Sequence, residues 1–215
     1  LLKVGFPISM QDGLIQVAFI IITIIANRRG LTDAAAVGIV EKVISFLFLV
    51  PSSMLSTVSA LGAQNVGAGK PQQAVAALKY AICIAGGFGL LIAIIIQFTA
   101  GNVVNLFTND QAVICAGTQY LKVYIWDCMF AGIHFSFSGY FCACGRSGYS
   151  FIHNIVSIAL VRVPGVYLTS KIFPETLFPM GLATAGGSLV SVVICAGLFL
   201  LQRQDLHKKA YSGRA

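Results

Sequence analysis

Charge is what this sequence has least of. Only 10% of its 215 residues are Asp, Glu, Lys or Arg, where a soluble domain carries about 25%. Acid is scarcer still, with 7 Asp and Glu against 14 Lys and Arg for a formal charge of +7. The six cysteines include no C-x-x-C pair. No nucleophile–base pair or nucleotide fingerprint is present, and Gly67-x-Gly69-Lys70-Pro71 lacks both the spacing and the Ser/Thr of a P-loop. There is no secretory signal with a basic start, a short apolar centre and a small-residue cleavage site. These absences argue against a soluble enzyme and against an ATPase. The positive balance does not point to nucleic acid either: the basic residues are scattered over short connections and the tail, with no stacking aromatics beside them.

What is present is apolar chain. Hydrophobic residues make up 57% of the sequence, and mean hydropathy is +0.86. A hydrocarbon core about 30 Å thick needs roughly 20 apolar helical residues. Six stretches qualify: 4–26, 34–66, 75–99, 112–144, 149–171 and 178–202, followed by a basic tail at 203–215. None alternates with period two, which excludes a β-barrel and leaves helices as the structure that satisfies every backbone group in lipid. The expectation is an all-α membrane protein of six transmembrane helices. Six spans bring both ends to one side. That side carries Lys3, Lys70, Lys79, Arg146, Arg203, Lys208, Lys209 and Arg214, whereas the other carries Arg28, Arg29 and Lys171. The bias places both ends of the segment in the cytoplasm. The first residues already run into an apolar stretch, so the chain reads as a fragment of a longer protein.

A charged group at depth in a bilayer is costly and tends to mark function. Asp12 lies about two turns into the first span, with Gln16, Thr23 and Asn27 continuing its stripe. Asp127 lies in the fourth span; His134 follows seven residues later and Tyr120 precedes it by seven, on nearly the same face. Carboxyls on two helices suit Na⁺ or H⁺ coupling, or capture of a cationic substrate; the plainer reading of each is a hydrogen-bonded group in a tight bundle. Glu41 and Lys42 are sequence neighbours and point apart, lining the outer mouth or pairing with other helices. Pro51 predicts a bend, with Ser52, Ser53, Ser56 and Thr57 available to satisfy freed carbonyls. Arg162 with Pro164 reads as an ion-pair partner or a kink. Cys142, Cys144 and His134 raise a membrane redox or metal protein as a further reading, although neither His134 nor His153 sits at a metal-ligand spacing. No resident cofactor is expected.

The polar element Ala63-Gln64-Asn65-Val66-Gly67-Ala68-Gly69-Lys70-Pro71 resembles the A-Q-N-x-G-A-G-x-P turn of the multidrug and toxic compound extrusion (MATE) family. Ser138-Gly139-Tyr140-Phe141 leading to Gly145-Arg146-Ser147 is similar to that family's S-G-F…G-R-T. Lesser markers are Gly5-x-Pro7, Leu106-Phe107-Thr108-Asn109-Asp110 and Val161-Arg162-Val163-Pro164. The resemblance covers nearly the whole chain and implies the second six-helix lobe of a twelve-helix transporter, whose first lobe would be its partner. It implies export of small amphiphilic or cationic substrates by Na⁺ or H⁺ antiport with alternating access; a flippase for lipid-linked oligosaccharides, from the same broad superfamily, is the alternative. In the family's cation-coupling branch, acids on the first and fourth helices of this lobe bind the ion. Here Ile15 and Ala131 fall at those places, with Asp12 and Asp127 about one turn earlier. Physically, Gly67 and Gly69 permit a tight reversal, Gln64 and Asn65 are expected to cap the ending helix, and Pro71 starts the next.

Overall fold

A computed structural model describes the backbone of residues 2–212 and the side chains of residues 13–202. Its helices are α1 (Leu2–Asn27), α2 (Leu31–Leu47), α3 (Leu49–Gly67), α4 (Pro71–Asn105), α5 (Gln111–Tyr124), α6 (Trp126–Ala143), α7 (Ser147–Val156), a π-helical stretch (Ser157–Arg162), α8 (Val163–Ile172) and α9 (Phe178–Ser212). Joined end to end, α2 with α3, α5 with α6, and α7 through α8 make single interrupted rods, so the described chain folds as six. Side chains before residue 13 and after residue 202, including Asp12 and the basic tail, lie outside the described residues.

Two interruptions have a proline as their cause. Pro51 has no N–H for the carbonyl four residues back, and the second rod breaks between Leu47 and Leu49. The freed Leu47 carbonyl is met at 4.0 Å by the Cys128 thiol of another rod. The nearby serines do not do this work as the sequence suggested: Ser52 and Ser53 bond Leu49 O, and Ser56 bonds Ser52 O. Pro164 likewise stands just beyond the π-helical stretch, whose wider turn absorbs the missing donor.

The two glycine turns end helices by backbone alone. Gly69 has φ 72° and Gly145 has φ 71°. In the first, Gly69 N donates to Val66 O at 3.0 Å and Lys70 N to Asn65 O at 2.8 Å. In the second, Gly145 N donates to Cys142 O at 3.0 Å and Arg146 N to Phe141 O at 2.8 Å. Both are complete Schellman motifs. This corrects the expectation for side-chain capping: the Asn65 amide donates back to Leu61 O, inside its own helix, and Gln64 contributes its carbonyl to Ala68 N. Gly67 is the last residue of α3 and has ordinary φ.

These turns lie at one end of the bundle, here called the even end; the connections after α1, α4 and α8 lie at the other, the odd end. At the even end α3, α4 and α6 pack backbone to backbone. A Cβ on Gly139 would sit 2.6 Å from Leu55 O, and one on Gly132 would sit 2.8 Å from the Ala85 Cβ. The apolar filling there is Val58, Leu78, Phe137, Tyr140 and Phe141. A larger apolar cluster fills the odd half, from Ile22, Ile44, Ile96, Leu121 and Met180. Arg29 closes that end. It pairs with Asp33 at 2.7 Å and donates to the carbonyls of Ser170, Phe173, Pro174 and Thr176, tying the first turn to the last.

Among the described residues, the stretches Leu31–Gly67, Pro71–Asn105, Ser147–Ile172 and Phe178–Gln202 are long and apolar enough to cross a membrane. Their outward faces are apolar, with Phe98 85%, Leu160 71% and Val193 65% exposed, as contact with hydrocarbon requires. The rod of α5 and α6 has a different character because its surroundings differ. It is the central rod, packed against α3, α4 and α9, so its polar residues face protein.

Candidate functional site

A charged centre lies where the central rod meets its neighbours. Asp127, in the first turn of α6, is completely buried, and Arg162, the last residue of the π-helical stretch, is 6% exposed. Arg162 Nη2 donates to Asp127 Oδ2 at 2.6 Å and to Tyr124 Oη at 3.3 Å. The guanidinium also stands 5.7 Å from the ring centre of Phe19 and 5.9 Å from that of Tyr124. Ser188 of α9 lies beside the same carboxylate. Asp127 therefore does not face an open wet chamber. It is sealed against a cation from the next rod, and Arg162 is both a pair partner and part of an interrupted helix. Burying two charges is expensive, and removing either leaves the other uncompensated.

Glu41 belongs to the same centre rather than to an outer mouth. Its Oε2 lies 2.9 Å from Thr23 Oγ1 on α1, which also lies 2.9 Å from Phe19 O. Its Oε1 is buried and has no hydrogen-bond partner. Tyr120, completely buried on α5, and Thr184 of α9 complete the surroundings.

Toward the even end follows a neutral polar chain. His153 is completely buried, with Nε2 2.8 Å from Ser138 Oγ and Nδ1 3.3 Å from Ser191 Oγ. His134, also buried, packs its ring edge-on at 5.6 Å from His153 and 4.8 Å from Phe135. A cavity of about 10 Å³ opens among His134, Asn154, Ser157, Arg162, Ser188 and Ser191. His134 Nδ1, Asn154 Nδ2 and Arg162 Nε, each on a residue lining it, lack hydrogen-bond partners. A polar void of that size suits one water molecule.

Ile15, Phe48 and Phe135 form one wall of this cavity and also one wall of an open cleft of about 320 Å³. The cleft is completed by Gln16, Phe19, Ser45, Leu49 and Ser52. Three aromatic rings and a few neutral polar groups line it, with no formal charge among the described residues. The structure thus brings Asp127 and His134 into one buried rod and leaves Gln16 on the cleft, on the far side of the shared wall. Pro51 and Pro164 mark the interruptions beside the centre. A partner for Glu41 on another helix was one of its two readings, and Thr23 is that partner; the His153–Ser138–Ser191 chain was not anticipated. Their signal in the sequence was the rarity of polar residues within apolar spans. Among the described residues no three of His, Cys, Asp and Glu converge as a metal shell; Cys142 is buried and Cys144 half-buried, both as free thiols.

The sequence model of the MatE family matches residues 7–168. The chain is 22% identical over 199 residues to the probable multidrug resistance protein YoeA of Bacillus subtilis (strain 168), covering 93% of this chain and 43% of that protein. It is 26% identical over 175 residues to the multidrug export protein MepA of Staphylococcus aureus (strain N315), covering 81% of this chain and 38% of that protein. It therefore spans less than half the length of these relatives. Its fold superimposes with a TM-score of 0.88 on an outward-facing multidrug resistance MATE family transporter of the MOP superfamily, at 18% identity, covering 96% of this chain and 47% of that one.

Proposed function

Because this chain belongs to the MatE family, a family of membrane transporters rather than enzymes, we propose that it forms one lobe of a multidrug exporter. The complete protein moves small amphiphilic or cationic compounds outward in exchange for Na⁺ or H⁺, by alternating access between two lobes. The partner of this lobe is a second, similar six-helix lobe of the same protein. The setting is a bacterial plasma membrane, with both ends of the segment in the cytoplasm.

The observation that carries this reading is the wall shared by the cleft and the small polar cavity that Arg162 of the charge centre lines. The cleft offers rings and neutral hydrogen-bonding groups, which suit an amphiphile without fixing its identity. Behind that wall stands an ionisable centre. Substrate against Phe48 and Phe135 and an ion at the centre would press on the same side chains, which gives each a means to favour a different arrangement of the lobe. Coupling requires such a difference in affinity between two states. Gln16 contacts substrate in this scheme, and His134 stands between cleft and centre. Asp127, assisted by Asp12, belongs to the ion's side through its pair with Arg162. Among the described residues no Lys or Arg lines the cleft, which disfavours a flippase for charged lipid-linked sugars.

The test is transport of a fluorescent cationic dye by the complete protein in proteoliposomes, with Na⁺ and pH gradients applied separately. Uphill dye movement under at least one gradient is expected, with KM raised severalfold by Phe135→Ala. No uphill movement under either gradient would overturn the reading.

A further inference from the structure

We infer that Glu41, together with Thr23, is the group that holds and releases the exchanged monovalent cation, while Asp127 is permanently engaged by Arg162. This rests on the antiport reading above and assigns its ion site to a rod where the sequence pattern had not placed it.

The argument begins with charge. Facing Glu41 are Thr23 from α1, Tyr120 and Tyr124 from α5 and Arg162 from the π-helical stretch; Asp127 of α6 adjoins Arg162, and Thr184 of α9 adjoins Tyr120. Lys42, its sequence neighbour, is exposed, and among the described residues no Lys or Arg forms an ion pair with Glu41. The centre thus holds two carboxyls and one guanidinium, which is already bonded to Asp127. With both carboxyls ionised, one negative charge is left over in an apolar surrounding. One monovalent cation, H⁺ or Na⁺, cancels it.

Hydrogen-bond geometry then singles out Glu41. Thr23 Oγ1 has one proton and lies 2.9 Å from each of two acceptors, Glu41 Oε2 and Phe19 O. When Glu41 is ionised, Thr23 donates to it. When Glu41 is protonated, its own O–H donates to Thr23, and the threonine proton turns to Phe19 O. The contact survives both states with no heavy atom moving. Bound Na⁺ would find oxygens from the same two side chains. The buried, unpartnered Oε1 leaves a further coordination or protonation point. Arg162 Nε, also buried and unpartnered, shows that the centre is not saturated. Asp127 also has one buried oxygen without a partner, Oδ1, but its other oxygen is held by Arg162 at 2.6 Å, and loss of its charge would strand that guanidinium.

The experiment uses the complete protein. Purified in detergent, the wild type takes up one H⁺ or Na⁺ per molecule by calorimetric titration, run as separate arms that distinguish the two ions. Glu41→Gln, of the same shape, is expected to abolish that uptake. In proteoliposomes it should reduce ion-driven dye accumulation at least tenfold while retaining dye exchange down its own gradient. Thr23→Val keeps the carboxyl and should shift the half-saturating ion concentration at least threefold. This second variant carries the test if Glu41→Gln does not fold. Unchanged ion uptake in Glu41→Gln, or an unchanged half-saturating concentration in Thr23→Val, overturns this inference alone. Absence of ion-driven transport in the wild type overturns instead the reading on which it rests.

Discussion

The even and odd halves of the bundle are held together in different ways. In the even half, α3, α4 and α6 approach until backbones touch, with Gly132 and Gly139 at the contacts. Its buried polar groups are neutral: Ser138, His153 and Ser191 bond to one another, while His134 Nδ1 and Asn154 Nδ2 have no partner. The odd half is larger and more apolar, yet it holds the charged groups Asp127, Arg162 and half-buried Glu41, with Asp127 Oδ1, Glu41 Oε1 and Arg162 Nε unpartnered. Close packing tolerates one arrangement only. A centre whose charge changes with an exchanged ion has more than one. The comparison teaches that the even half is the rigid frame and the odd half is where a change of charge can be felt.

The largest effect should come from breaking the ion pair. Asp127→Ala leaves Arg162 buried alone and is expected to cost about 3–5 kcal/mol, read as a loss of thermal stability in detergent; a joint replacement of Asp127 by Leu and Arg162 by Met should recover most of it. Next is the frame. Gly139→Ala drives a methyl against the Leu55 carbonyl and should cost about 2–3 kcal/mol, as overpacking against unyielding backbone does. Gly87→Ala, whose Cβ meets nothing within 4 Å, should cost nothing, and equal melting of the two variants would show that backbone contact does not stiffen the frame. His153→Leu strands the buried Ser138 hydroxyl, while Ser191 keeps its bond to the residue's backbone carbonyl, and should cost about 1–2 kcal/mol, without altering ion uptake by the complete protein. The smallest effect belongs to the turn: Gly69→Ala forces a side chain into φ 72° and should cost about 1 kcal/mol, visible as a lower melting temperature with transport preserved.

Much of the architecture was legible because lipid leaves the backbone few choices. Long apolar runs must be helices, and the glycine and proline punctuation between them marks where they turn. Pro51 and Pro164 announced interruptions, although not which groups would repair them: the Leu47 carbonyl turns to Cys128, far away in sequence. The site was less legible for the same reason. Asp127 and Arg162 are 35 residues apart, and Thr23 and Glu41 are 18 apart, so no helical period links them. Arg29 is instructive. As a loop cation it counted toward membrane orientation, yet its guanidinium is committed to one carboxylate and four carbonyls. Asp33, four residues on, was the available hint.

The π-helical stretch carries a consequence for how the fifth rod can vary. Such a turn amounts to one surplus residue in an otherwise regular spiral, and each residue of an α-helix rotates the chain by about 100°. Deleting a single residue within 157–161 removes that surplus and lets the spiral run regularly, with both flanks keeping their bearing. Adding one residue without a second widened turn would instead swing one side by roughly that angle, and the guanidinium now bonded to Asp127 would be carried toward a different neighbour. Lengthening this rod by one is thus a change of address for its buried cation, whereas shortening it at the wide turn is not.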